Sequence, residues 1–155
     1  MKKYQIYFIL IVSLIGFSFS ASEIKKENRI DNYKLKSSDL PEGYIFTPDL
    51  NCKSIQPLTF YKQAESLYGM ILGEIEFKDF QSFKGKKDEG TILYFQFKEK
   101  FEGDGFLNGY LWGEKDKATK QHPEEFLVTE NNILIIWSTD LDSKIKSISK
   151  LKIKQ

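Results

Sequence analysis

EFLVTENNILIIW, residues 125–137, is the stretch whose reading decides the fold. Two apolar runs flank Asn131-Asn132, and asparagine tolerates the positive φ of a tight turn, so the segment predicts a β-hairpin. Its second arm, Ile133-Leu134-Ile135-Ile136-Trp137, is apolar without alternation. A strand with one wet face alternates apolar and polar residues. A run without alternation predicts a central strand covered on both faces.

Moving outward from the hairpin, residues 91–99 read as a strand, with Leu93, Phe95 and Phe97 on one face and Ile92, Tyr94, Gln96 and Lys98 on the other. Residues 70–83 read as a long strand, because Glu74, Glu76 and Lys78 alternate with Gly73, Ile75 and Phe77. Residues 101–113, where Gly103, Gly105, Gly109 and Gly113 lie among large apolar residues, predict a loop followed by a bulged strand over about 106–112. Short strands are predicted at 32–36 and 44–46, on either side of the turn Ser38-Asp39-Leu40-Pro41-Glu42-Gly43. One helix is predicted at 57–68, opened by Pro57 and stopped by Gly69. A second is predicted at 140–152, capped by Thr139 or Asp140, with an inner stripe of Leu141, Ile145, Ile148 and Leu151 or Lys152.

Together these elements predict an α+β fold: a mostly antiparallel sheet of five or six strands with two packed helices, with room for one helix opposite the other. An open antiparallel barrel with a C-terminal helix is the alternative. From Ser38 to Tyr44 the chain resembles the openings of small exported α+β domains of the PsbP type, which implies that fold class and carries no function.

The chain of 155 residues divides into a signal peptide at 1–20, a flexible lead-in at 21–31 and a single globular domain at 32–155. Lys2 and Lys3 precede an apolar run from Ile6 to Phe19, and Ser20, Ala21 and Ser22 supply a small-residue cleavage site. The run is shorter than the ~20 apolar residues that span a bilayer, so no stable transmembrane segment is expected after cleavage. The intact mass of the exported protein is therefore expected to start near Ala21 or Glu23. A mature pool that retains Met1 would contradict this.

Composition narrows the function. Arg29 is the only arginine, and the abundance of Lys, Ile, Asn, Phe and Tyr fits an AT-rich bacterial genome. The net charge is +1, falling further once Lys2 and Lys3 leave, which excludes a general nucleic-acid binder. Cys52 is the only cysteine, so no internal disulfide forms, and it reads as a small, partly buried residue. His122 is the only histidine; a base there would need Glu124 or Glu125 to orient it. One histidine and one cysteine match no common zinc spacing. Glu102, Asp104, Asn108, Glu114 and Asp116 do not follow a calcium-loop pattern. The glycines at 103, 105 and 109 lack the lysine and helix signal of a phosphate loop. No catalytic residue, metal ligand or cofactor is therefore expected.

What remains is recognition. Phe106, Tyr110 and Trp112 beside glycines predict a shallow aromatic platform for an envelope protein, glycan or lipid, since such rings add contact area at low entropy cost. The expected function is that of an exported bacterial binding module without catalysis. A small extracytoplasmic hydrolase with an unrecognised site is the alternative, because the many acidic residues offer carboxylate pairs that only geometry can judge.

Overall fold

The computed structural model describes residues 27–154; the signal peptide expected at 1–20 and residues 21–26 of the expected lead-in lie outside the described residues. Five strands, β1 (Ile45–Thr47), β2 (Ile75–Lys84), β3 (Glu89–Phe97), β4 (Glu125–Thr129) and β5 (Ile133–Thr139), form one sheet in the order β1-β2-β3-β5-β4. Every neighbouring pair is antiparallel. β1 and β4 remain edges, so the sheet does not close and the barrel alternative does not hold. The class is α+β.

β5 sits between β3 and β4, and all seven of its residues are buried. Because side chains alternate along a strand, its apolar run feeds two cores. Leu134 and Ile136 join Leu93, Phe95 and Phe97 on one face. Ile133, Ile135 and Trp137 join Ile92 and Tyr94 on the other. The first face is covered by a long helical segment, comprising α1 (Ile55–Gln63), a π-helical turn (Ala64–Tyr68) and α2 (Gly69–Leu72), and by α3 (Asp104–Trp112). The second is covered by α4 (Lys144–Ile153), through Ile145, and by Ile30 and Leu35. The two predicted helices thus lie on opposite faces, as the non-alternating run requires.

Several local expectations are corrected. Residues 106–112 form a helix, not a bulged strand. Leu107 and Leu111, one turn apart, are its buried face, and Gly113 at φ +62° is placed at its end. Residues 70–72 are helical, because Gly69 has an ordinary helical φ of −60°. Gly73, at φ +105°, ends that segment, a conformation that side-chain-bearing residues rarely adopt. Residues 32–36 are not a strand; a 3₁₀ turn spans Ile30–Asn32.

The lead-in is tied down where it is described. The Arg29 N–H donates to Gln96 Oε1 at 2.9 Å, and Ile30 is fully buried. α4 begins at Lys144, capped by Ser143, because Thr139 is still paired with Gly90 in the sheet. Leu141 and Leu151 are exposed, and the helix turns Ile145 and Ser149 inward. In the hairpin, positive φ falls on Glu130 and Asn131 rather than on Asn131 and Asn132. Asn132 instead accepts from Arg29 at 2.7 Å and donates to the Phe97 carbonyl at 2.7 Å, locking the turn to β3.

Candidate functional site

The predicted aromatic platform is split by α3. Phe106 and Tyr110, one turn apart, stack with ring centroids 5.6 Å apart and planes at 13°. Tyr68, from the π turn, packs its ring 5.9 Å from Phe106 and 5.5 Å from Tyr110. Its hydroxyl donates to the Tyr110 hydroxyl at 2.9 Å, which donates to the Gln56 carbonyl at 3.1 Å. Burial, then the Tyr68 hydrogen bond, hold the Tyr110 phenol well above its usual titration range. Trp112 is not part of this group. Its Nε1–H donates to the Glu124 carbonyl at 2.8 Å, and its ring stacks on Phe126 of β4. Phe106 is the exposed member; Tyr110 and Trp112 are half-buried.

Three further large apolar residues outside the predicted platform are exposed. Leu67 is 44% exposed, Met70 81% and Ile71 56%, all on the helical segment that carries Tyr68. In an uninterrupted α-helix, Ile71 would lie two turns from Ala64 and share the buried face of Ala64 and Tyr68. The π turn over Ala64–Tyr68 inserts extra backbone and rotates the next helical turn, so Met70 and Ile71 point to solvent. On α3, an added Cβ at Gly105 or Gly109 would meet nothing within 4 Å among the described residues. Glycine inside a helix costs about 1 kcal/mol relative to alanine, and no packing contact at either position requires it.

The other residues singled out in the sequence serve the frame. The segment bearing Cys52 is pinned across two strands: Asn51 N–H donates to Thr91 Oγ1 at 2.9 Å and Lys53 N–H to Ser138 Oγ at 2.8 Å. Burial pushes the Cys52 thiol up to about 11, outweighing hydrogen bonds to Ser138 and Thr91 that lower it. Against its ordinary value of 9.0, that cuts the thiolate fraction near pH 8 about a hundredfold. Cys52 in the folded protein is therefore expected to react with iodoacetamide at least about a hundredfold more slowly than in the urea-unfolded chain. Equal rates, followed by mass spectrometry, would refute the burial argument.

Among the described residues, the buried Nδ1 of His122 has no hydrogen-bond partner. Neither neighbouring carboxylate orients its ring. Glu124, fully buried, accepts from Ser54 Oγ at 2.6 Å, and Glu125 is held by Lys146 and Lys150. Among the described residues, no group of three or more His, Cys, Asp or Glu is placed to hold a metal ion. No described helix is long and apolar enough to cross a membrane.

A cleft of about 620 Å³ opens beside Tyr44, Lys86, Lys87, Asp88, Asp142 and Lys144. Its Asp88 accepts through Oδ2 from Tyr44 Oη, Ser143 Oγ and Lys144 N–H, anchoring the first turn of α4, while Oδ1 is buried without a hydrogen-bond partner among the described residues. No family model, characterised protein or solved structure matches the chain.

Proposed function

We propose that the chain is an exported bacterial protein whose domain is a binding module without catalysis, and that it meets its partner through Leu67, Met70, Ile71 and Phe106. The carrying observation is that these four large apolar side chains are exposed, three on the helical segment that bears Tyr68 and the fourth, Phe106, on α3 with its ring packed against Tyr68. Single exposed apolar residues are ordinary, whereas a group on adjoining helical segments is characteristic of an interaction surface.

Three further features support the reading. Met70 and Phe106 are of residue types enriched in interface cores. Gly105 and Gly109 leave room for a partner's backbone to approach α3 closely. A π turn is a costly irregularity that recurs at functional sites. Of an envelope protein, a glycan and a lipid, the protein is favoured, because flexible, exposed Met70 beside exposed Leu67, Ile71 and Phe106 suits a packed protein surface better than polar sugar hydroxyls or anionic headgroups.

Capture from native envelope extract tests the proposal. The wild type is expected to retain a partner that Met70→Ser/Ile71→Ser/Phe106→Ser loses, with the thermal midpoint of the variant nearly unchanged. Undiminished capture by a folded triple variant would overturn the assignment of the face.

A further inference from the structure

The two edges of the sheet are built differently. β1 is three residues long, and Pro48 closes it. Short length and proline are ordinary guards against pairing with another chain. β4 has five residues, an unbroken register with β5, no proline and no lysine. Among the described residues, β5 is the only strand beside it. Just before β4, the Glu124 carbonyl is taken by Trp112 Nε1. Leu127, in the middle of β4, is 40% exposed. This edge is separate from the helical face proposed above.

We infer that β4 pairs with β4 of a second copy of this chain, antiparallel about a two-fold axis at Leu127, joining two five-stranded sheets into one of ten strands. The side chains of β4 are self-complementary in that register. Leu127 faces the partner subunit's Leu127, Phe126 faces the partner's Val128, and Glu125 faces the partner's Thr129. Aromatic–β-branched and apolar cross-strand pairs are favourable, while like charges directly opposite are unfavourable. No like charges meet in this register, and Glu125 already has its countercharges in Lys146 and Lys150. A register centred on Glu125 would instead set carboxylate against carboxylate. The axis runs perpendicular to the sheet, so Phe126 and Val128 stay on the side of the α1–α3 core in both copies. Because each copy uses the same edge, the assembly closes as a dimer and leaves no free copy of that edge.

Sedimentation of the purified exported protein over a concentration series is the test, with charge exchange at position 127 as its control. Wild type is expected to dimerise. Leu127→Lys and Leu127→Glu, each alone, are expected to weaken dimerisation by about tenfold or more, because the substituted charges face each other across the axis. Mixing the two variants is expected to restore a dimer of one copy of each. Position 127 is solvent-facing, and the thermal midpoint of each variant is expected to stay near wild type. A wild type that stays monomeric throughout overturns the proposal and leaves an extended segment of another protein as the occupant of the edge. A Leu127→Lys variant that dimerises as well as wild type, or a mixture that fails to pair, overturns it equally.

Discussion

Ile135→Asp is expected to leave the protein unfolded at room temperature. Ile135 is fully buried in β5, flanked in register by Tyr94 of β3 and Leu127 of β4. It belongs to the core closed by Ile30 and by Ile145 of α4. A carboxylate there has no cationic partner, and burying an unpaired charge costs far more than burying a neutral polar group. The substitution also forfeits the transfer energy of the isoleucine, roughly 1.5–3 kcal/mol. A domain of this size has only about 5–15 kcal/mol of stability to lose. Leu151→Asp, on the exposed side of α4, is the matched control and is expected to shift stability by about 0.5 kcal/mol or less. Far-UV circular dichroism with thermal melting distinguishes the two. A cooperative melt near wild type for Ile135→Asp would mean that β5 is not covered on both faces.

Glu125→Gln is expected to cost about 2 kcal/mol, the second large effect. The Lys146 side chain is 4% exposed, and its ammonium is met by Glu125, which also binds Lys150. Lys150 in turn lies 5.2 Å over the Trp137 ring. Removing one partner of a fully buried ion pair costs about 3–5 kcal/mol; the smaller figure reflects the partial solvent contact of Glu125. Lys146→Met, which removes the buried charge and keeps the volume, is expected to be neutral or stabilising.

The pH dependence of this pair comes from the same geometry. Burial raises the Glu125 pKa, but the two lysines outweigh it and hold the carboxyl below its ordinary value of 4.5. The unfolded chain therefore binds a proton first as pH falls. The contribution of the pair is complete above about pH 4.5 and is lost as pH falls through the lower folded value. The gap between wild type and Glu125→Gln in urea titrations should narrow in acid. A gap that is constant from neutral pH to well below pH 4.5 would contradict the charge pairing.

The hairpin at 125–137 was legible because its pattern carries one meaning: an apolar run of strand length after two asparagines implies a covered β-strand. The same logic failed at residues 106–112, because the four glycines spread over 103–113 mimic the signature of a bulged strand. There the deciding signal was the four-residue spacing of Leu107 and Leu111, which the glycines obscured. The candidate site was half legible. Phe106 stood out as an aromatic beside glycines, and it is exposed. Trp112 carried the same signal but turns to β4, because residues 106 and 112 do not share a helical face. Leu67, Met70 and Ile71 were hidden because a π turn leaves no simple periodicity. By α-helical spacing Ile71 belongs with Ala64 and Tyr68, and only the extra backbone of the turn sends it outward.

The most direct test of the proposed binding face is site-specific photocrosslinking in the native envelope. A photoreactive residue placed at Met70 is expected to give a discrete protein adduct that disappears when Phe106→Ser is added. The same probe at Lys86, in the cleft near the start of α4, is expected to give none. An adduct at Lys86 but not at Met70, or one at Met70 that is indifferent to Phe106→Ser, would contradict the account.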